Sequence, residues 1–259
     1  MKSKLILFVL FLSLFSVSFS QQSDEKAELI LKKAIEKLGG VNYSNVKTIV
    51  GRGFLTQFRD ERPYSESNFL DILVFPNKER TEFKSSGEKT VQTNFDDKGW
   101  IFEGGSQSIR DQSKDEIAGF NQSLRTSLDF LLRRNWVGKA KLSYVGRREA
   151  TLGKRNEVVK LTFEDNFFIE YEFAASDNLP MKAIHKKKNA AGEETKEEDR
   201  YAQFVEFQGV FFPLVIDHFR NGKQTSRINY QSVEFNKSIS DSIFSKPSNP
   251  KELKKDLKF

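Results

Sequence analysis

Histidine and cysteine, two side chains that often carry catalysis at neutral pH, are scarce in this 259-residue chain. The absence of cysteine excludes disulfides, thiolate nucleophiles and cysteine-ligated metals. His185 stands beside a run of lysines, which is typical of a surface turn. His218 shares the parity of apolar strand residues, where a half-buried histidine with a hydrogen-bond partner is commoner than a general base.

The carboxylates also lack a catalytic arrangement. Glu170 and Glu172 could be imagined as the acid pair of a glycosidase, but any solvated strand face produces this spacing. An acidic cluster could suggest calcium but lacks the spaced ligands and glycine of a calcium loop; its members are Glu193, Glu194, Glu197, Glu198 and Asp199. A charged hairpin tip explains this cluster better. There is no nucleophile elbow, phosphate loop or dinucleotide fingerprint. We therefore expect no catalytic residue, metal or cofactor, with an unrecognised hydrolase as the alternative.

The N-terminus has the pattern of a secretory signal. Lys2 and Lys4 precede an apolar run at residues 5–17, and the small residues Ser18 and Ser20 precede a polar boundary. The run is shorter than the roughly 20 residues that span a bilayer as a helix, so cleavage after Ser20 is favoured over an uncleaved anchor. We expect a signal peptide at residues 1–20 and a single domain at residues 21–259.

Charge and composition narrow the class of protein. The chain has 42 basic and 36 acidic side chains and a formal net charge of +6, with both signs interspersed. Because nucleic-acid-binding proteins concentrate basic residues on one face, no nucleic-acid partner is expected. The 25 phenylalanines favour sheet and could form an apolar core or a large concave apolar lining. We expect a monomer.

Two segments have the apolar spacing of amphipathic helices. The first follows Ser23 and ends at Gly39 and Gly40. The second, residues 113–134, opens with a capping box and carries one apolar stripe; its members are Ile117, Phe120, Leu124, Leu128 and Leu131. Because a single apolar face must be buried, we expect this helix to lie on the open face of a sheet.

Strand patterns separated by turn signals occupy most of the remaining chain, which is typical of an antiparallel sandwich or barrel. Gly51 and Gly53 predict a bulge or strong bend in the first strand, and Asn221-Gly222 predicts a hairpin. The basic tail at residues 248–259 is expected to be solvated; the alternative is a short helix with Leu253 and Leu257 on one side.

The order of these elements, with five short segments, resembles the LolA/LolB-type lipoprotein carriers and, more closely, the bacterial outer-membrane lipoprotein-sorting group. The segments are AIEKLGG at 34–40, DDKGWIFEGG at 96–105, the 163–180 strand pair ending in NLP, FQGVFFP at 207–213 and DSIFSKP at 241–247. The resemblance implies a mainly β protein: a half-open antiparallel β-barrel with flanking helices, covered by an α-helical lid. It also implies a soluble periplasmic carrier that is not an enzyme. In that family a strand arginine pairs with the lid backbone. Arg52 and Arg80 are strand candidates here, and neither is assigned.

A wide barrel is not filled by its own side chains, so it must hold a ligand or collapse. We expect acyl chains of a lipid or lipoprotein in an apolar cavity, with transient contact to a membrane or membrane protein as a further possibility. The alternative is an envelope scaffold that uses the same barrel to bind a protein partner. The predicted cavity and lid residues are Phe54, Phe58, Ile72, Val74, Trp100, Phe102, Ile117, Phe120, Leu124, Leu128, Phe167, Ile169, Phe212 and Leu214. Ordinary core packing is the alternative for each.

Overall fold

One antiparallel sheet of 13 strands forms the body of the protein in a computed structural model, which describes residues 25–188, 192–254 and 257. The predicted signal peptide lies outside the described residues and stays a prediction. Within the described ranges, no helix combines the length and apolar character needed to cross a membrane.

Strands that follow one another in sequence pair throughout except β6 and β7, and the first strand, β1, also pairs with the last, β13. The order is therefore β6-β5-β4-β3-β2-β1-β13-β12-β11-β10-β9-β8-β7, and the sheet ends at β6 and β7 without closing. This open antiparallel barrel confirms the predicted fold class. The strands are β1 Thr48–Arg59, β2 Arg62–Val74, β3 Lys78–Ser85, β4 Glu88–Phe95, β5 Lys98–Glu103, β6 Ser108–Asp111, β7 Ala140–Glu149, β8 Arg155–Phe163, β9 Phe168–Ala174, β10 Pro180–Lys188, β11 Glu194–Phe207, β12 Val210–Arg220 and β13 Lys223–Phe235.

The glycines of β1 lie where the sheet bends. The pairing of β1 with β13 shifts register between Arg52 and Gly53, which confirms the predicted bulge. A Cβ atom on Gly51 would lie 2.5 Å from the Tyr230 ring, so only glycine lets that ring lie across β1. The bulge therefore shapes the inner face of the barrel as well as its curvature.

Four helices lie in the described chain: α1 at residues 25–37, α2 Val41–Ser44, α3 Lys114–Thr126 and α4 Leu128–Leu132. The capping box of α3 is present, because Ser113 and Glu116 exchange hydrogen bonds. The expectation of one continuous helix over 113–134 was wrong. Ser127 is extended (φ −65°, ψ 151°) and its hydroxyl accepts from the Phe130 amide, so it ends α3 and caps α4.

The main core lies between the inner face of the sheet and the helices. We call inner the face that carries Ile49 and Leu73, and outer the face that carries Val50 and Ile72. Buried residues of α1, including Leu31 and Ala34, pack with the aromatic and branched side chains of the inner face. The helices therefore cover one face of the sheet, as their single apolar stripes require.

The C-terminal segment covers part of the outer face, contrary to the expected solvated tail. Two short 3₁₀ helices, η1 Asp241–Phe244 and η2 Pro250–Lys254, lie in it. Phe244 packs with Val50 and Ile72, and Leu253 packs with Trp100. The short-helix alternative was therefore right, because its apolar side chains find an apolar outer face.

Candidate functional site

The candidate site is a cavity of about 330 Å³ between the inner face of the sheet and α3–α4. Most of its wall is apolar or aromatic. The lining residues used below come from the helical cover (Leu124, Ser127, Leu128, Asp129, Arg133), from β1–β3 (Ile49, Asp71, Leu73, Glu79) and from β11–β13 (Asp199, Tyr201, Phe212, Ile216, His218, Ile228, Tyr230, Phe235).

A larger cleft of about 510 Å³ lies elsewhere, where the C-terminal segment meets the ends of β3–β5. Lys78 pairs with Asp241, and Lys246 pairs with Asp111, across its rim. These pairs join the C-terminal segment to the sheet, which makes the cleft a seam between packed segments. The inner cavity is the better candidate because it combines an apolar wall with buried polar groups.

Stacked aromatic rings form one wall of the cavity. The Phe212 ring lies edge-to-face with Tyr230 at 5.1 Å between centroids and with Phe235 at 6.0 Å. Phe69 meets the other side of Tyr230 at 5.2 Å. Because Tyr230 crosses β1 above Gly51, its hydroxyl reaches Asp71 on β2. The glycine thus places a strand side chain in the cavity wall.

A strand tyrosine ties the helical cover to the sheet. The Tyr171 hydroxyl lies 3.3 Å from the carbonyl oxygens of Thr126 and Ser127 and donates to this pair. These carbonyls are free to accept because the helix breaks at Ser127. The break that the sequence pattern missed is therefore the point where sheet and cover are joined.

Arg125 attaches the C-terminal end of α3 to the turn between β8 and β9. Its guanidinium makes two hydrogen bonds to Asp165, at 2.9 and 2.7 Å. It also lies 3.8 Å from the Phe163 ring centroid and 4.5 Å from that of Phe167. A bidentate pair that stacks on two rings is a specific contact and not a loose surface pair.

Arg133 and Tyr43 fix α4 at the other end of the cover. Both hold Asp129, Arg133 Nε at 2.8 Å and the Tyr43 hydroxyl at 2.8 Å. Arg133 also donates to the Val46 carbonyl and lies 3.6 Å from the Phe75 ring centroid. Burial, followed by the charge of Asp129, raises the pKa of Tyr43, so its hydroxyl stays a donor.

Two neighbouring acids of the cavity wall have no cationic partner among the described residues. Asp71 accepts from Thr81 at 2.9 Å and from Tyr230 at 3.5 Å, and Glu79 lies 3.2 Å from the same Thr81 hydroxyl. Burial raises the pKa of Asp71 to about 6. Burial, reinforced by the charge of Asp71, raises the pKa of Glu79 to about 8. Both side chains are half-buried in the cavity wall, and partial loss of their hydration raises the two pKa values.

The other polar group of the wall is a histidine–carboxylate pair. His218 Nδ1 lies 2.6 Å from Asp199. Burial by itself lowers the pKa of His218, but the hydrogen bond and charge of Asp199 outweigh it and raise the pKa overall. The partnered half-buried histidine expected from the strand pattern is what the structure contains. Within the described ranges, no group of three potential metal ligands lies together.

Three of the fourteen predicted site residues line the cavity: Leu124, Leu128 and Phe212. Three others pack in the main core beside it: Phe167, Ile169 and Leu214. Phe167 lies under Arg125, and Ile169 is fully buried. No bound ligand tests any of these assignments, so their role in binding stays a prediction.

The structure places the other eight away from the cavity. Ile72 and Val74 face outward, and Trp100 and Phe102 lie under the C-terminal segment. Ile117 lines the outer cleft, and Phe120 is buried on α3 without lining the cavity. Phe54 and Phe58 alternate with Leu55, which packs against the main core, and neither lines the cavity.

The outward placements have one physical cause. Strand β2 buries Phe69 on the inner face and Ile72 on the outer face, and the buried Trp100 and Phe102 of β5 share one parity that faces outward. Alternation therefore does not reveal which parity faces inward. Asp71 and Leu73 lie on the inner face of β2. Asp71 is the one charged residue in the otherwise apolar run at residues 69–75. A lone acid in an apolar strand was the available signal, and the sequence interpretation missed it.

The remaining candidates are accounted for by structural contacts. Arg52 pairs with Glu234, and Arg80 pairs with Glu82 and donates to the Ile243 carbonyl of the C-terminal segment. Neither contacts the cover. His185 is half-buried at 5.9 Å from the Phe167 ring, which corrects its expected surface position.

The acids considered for calcium or glycosidase chemistry are ion-paired. Glu197 holds Arg220, and Glu198 holds Arg200. Glu170 and Glu172 share Arg148, and Glu172 also accepts from the buried amide of Asn156. Glu172 is only 1% exposed, so the idea of a solvated strand face was wrong for this residue.

Comparison with known proteins shows the fold. No protein-family model matches the chain, and no curated protein matches it in sequence. A LolA superfamily protein from Nitrosomonas europaea is 17% identical with a TM-score of 0.56, covering 85% of this chain and 97% of that chain. An outer-membrane lipoprotein-sorting protein domain from Vibrio parahaemolyticus is 10% identical with a TM-score of 0.55, covering 88% and 100%. A DUF1329 family protein from Desulfovibrio piger is 10% identical with a TM-score of 0.58, covering 85% and 97%. The resemblance inferred from sequence is thus confirmed for the fold, a LolA-like open barrel.

Proposed function

We propose that this chain is a periplasmic, non-enzymatic carrier that holds an acyl chain of a lipid or lipoprotein in the inner cavity. The observation that carries the proposal is an apolar cavity of about 330 Å³ beneath a helical cover made of two short helices. The fold shared with a lipoprotein-sorting protein domain supports it. The signal pattern at residues 1–20 supports export.

The energetics favour a filled cavity. Left dry and empty, a void of this size would cost about 8 kcal/mol at roughly 24 cal/mol per Å³, as much as the whole stability of many domains. Ten buried methylene groups would contribute about 8 kcal/mol in the other direction, before the costs of association. The volume lies near the lower end of the roughly 300–1,000 Å³ typical of ligand pockets, so one chain fits and a larger cargo requires the cover to move.

The contacts of the cover suit reversible opening. Tyr171 and Arg125 hold it through a few polar contacts, and its Ser127 break allows α3 and α4 to move separately. Transient contact with a membrane or a membrane protein during transfer is part of this proposal, as is a monomeric carrier.

Native mass spectrometry of protein purified without detergent tests the carrier directly. We expect co-purified lipid, and saturable uptake of a fluorescent fatty acid after the lipid is removed. Ile216→Trp fills the cavity and should lower uptake at least tenfold. Ile184→Trp is the matched control, because Ile184 faces outward on β10.

Equal uptake by wild type and both variants would contradict the cavity proposal. A protein partner that binds in place of lipid would favour the scaffold alternative. Exposed apolar side chains along β7 and its flanking turns, Val137, Val145 and Leu152, are the observation that favours that alternative.

A further inference from the structure

We propose that the inner cavity selects an amphiphile with a cationic, amine-type head group and places that group against Asp71 and Glu79. This inference rests on the proposed carrier function and specifies the chemical class of the cargo. It stands on the charges of the cavity wall, the contacts of the two acids and the aromatic rings beside them.

The cavity wall carries more acidic than basic side chains. Four carboxylates line the cavity, together with one arginine and one histidine. Arg133 holds Asp129 at 2.8 Å, and His218 holds Asp199 at 2.6 Å. The arginine and the histidine of the wall are thus each already paired with one acid. Asp71 and Glu79 are the two carboxylates that remain, and both lie on the β2–β3 side of the cavity.

The contacts of these two acids leave acceptor capacity unused. Thr81 has one hydroxyl proton and lies within hydrogen-bond distance of both, so it donates to only one at a time. The Tyr230 hydroxyl reaches Asp71 at 3.5 Å, a long contact. An ammonium group has three donors and no acceptor, which matches a site with several acceptors and no cation.

Aromatic rings beside the acids suit a cation as well. Tyr230, Phe212 and Phe235 form the neighbouring wall through edge-to-face contacts. Aromatic rings attract ammonium groups, most strongly where water is excluded. Acids next to aromatic rings in one enclosed wall favour a cation over a neutral hydroxyl.

The same wall opposes an anionic head group. A carboxylate or phosphate near Asp71 and Glu79 would meet like charge in a partly desolvated site, where the repulsion is stronger than in bulk water. Arg133 does not offset this repulsion. It is held by Asp129 and the Val46 carbonyl, and its Nη2 atom, though without a partner, has almost no surface open to the cavity.

Competition with three probes of equal chain length tests the proposal. Dodecylammonium, dodecanol and dodecanoate would each displace a fluorescent neutral lipid from delipidated, full-length protein at pH 8. We expect dodecylammonium to bind about tenfold more tightly than dodecanol, and dodecanoate to bind most weakly. Asp71→Asn and Glu79→Gln should bring the ratio of ammonium affinity to alcohol affinity close to one. Glu66→Gln, an exposed acid of β2, is the matched control and should keep the wild-type ratio.

The outcomes separate the two proposals. If dodecanol and dodecylammonium bind the wild type equally, or dodecanoate binds best, the cationic head group is wrong and the carrier proposal stands. If none of the three displaces the neutral probe, or the neutral probe itself does not bind, the carrier proposal fails and this one with it. The comparison of the three probes on the wild-type protein tests the proposal even if a variant fails to fold.

Discussion

Single side chains decide the character of the cavity, because a few polar groups interrupt an otherwise apolar wall. Asp71 and Glu79 lie on the inner face of the paired strands β2 and β3, where neutral side chains would pack with a smaller loss of hydration free energy. Their burial lowers the stability of the fold. A role in ligand binding accounts for this loss of stability, whereas core packing does not. Tyr230 depends on Gly51 for its place in the same wall.

The first prediction concerns the pH dependence of stability. Glu79 has a folded pKa of about 8 against an ordinary value of 4.5, so between these values the folded protein keeps a proton that the unfolded chain releases. Stability from this group is therefore full below pH 4.5 and is lost as the pH rises through 8. Glu79→Gln should raise the free energy of unfolding by about 4 kcal/mol at pH 8 and change it little at pH 4.5.

Urea unfolding at the two pH values measures this effect. The groups facing Glu79 are Asp71, Thr81 and the more distant hydroxyl of Tyr230, and they are the same in both proteins. Glu66→Gln should show no pH-dependent difference from wild type. A Glu79→Gln variant that is less stable than wild type at pH 8 would show that the carboxylate is charged and well solvated.

At the scale of elements, the two-piece cover is the part of the fold whose stability is separable from the rest. It meets the sheet through the polar contacts of Tyr171, Arg125 and Asp129 and through Leu131 and Leu132 of α4, which are buried in the main core. The strands are held in addition by continuous ladders of backbone hydrogen bonds. Segments with few anchoring contacts open at lower free energy than the core.

The second prediction concerns the opening of the cover. Tyr171→Phe removes the hydrogen bond to the Thr126 and Ser127 carbonyls and keeps the ring in the core. Loss of one such bond, about 1 kcal/mol, should speed amide hydrogen exchange in α3–α4 about fivefold and leave the strands unchanged. Hydrogen exchange with mass spectrometry measures this.

Tyr144→Phe is the control for this experiment, because Tyr144 bonds Glu157 on the neighbouring strand and not the cover. It should leave exchange in α3–α4 at the wild-type rate. If Tyr171→Phe also leaves the rate unchanged, Tyr171 is not what holds the cover.

At the scale of the whole molecule, the sheet is covered on two sides by different parts of the chain. The helices cover the inner face, and the segment after β13 returns to cover the outer face of β1–β5. Phe244 is the centre of this outer contact: its ring packs on Val50 and Ile72, and its carbonyl accepts from the Trp100 indole. The C-terminal segment thus acts as a structural part of the barrel.

The third prediction tests that role. Phe244→Ala should lower the free energy of unfolding by about 3 kcal/mol, because it leaves a cavity against two fully buried residues. It should also speed tryptic cleavage after Lys251, which precedes Glu252. Phe168→Ala is the matched control, since Phe168 is 38% exposed, and it should cost less than about 1 kcal/mol. Equal losses of unfolding free energy in the two variants would show that the C-terminal segment does not unfold together with the barrel.

The elements followed from local pattern, which indicated an antiparallel sandwich or barrel, and so did the Gly51–Gly53 bulge and the capping box at Ser113. These features depend on residues close together in sequence, where period, turn chemistry and caps act directly. The half-open barrel under a helical cover followed from the family resemblance. The break at Ser127 was missed because a serine within an apolar stripe is compatible with a continuous helix, and its capping role appears only once Phe130 is placed.

What only the tertiary structure decided was the inward face of each doubly buried strand, and with it the cavity wall. Alternation assigns side chains to two faces but does not say which one the helices will cover, so Ile72 and Asp71 could not be told apart by parity. The position of the C-terminal segment could not be predicted for the same reason. Phe244 and Leu253 pack against an apolar outer face, and that face forms only after strands distant in sequence have paired. Local pattern determines elements, and contacts between distant segments determine which of their faces meet.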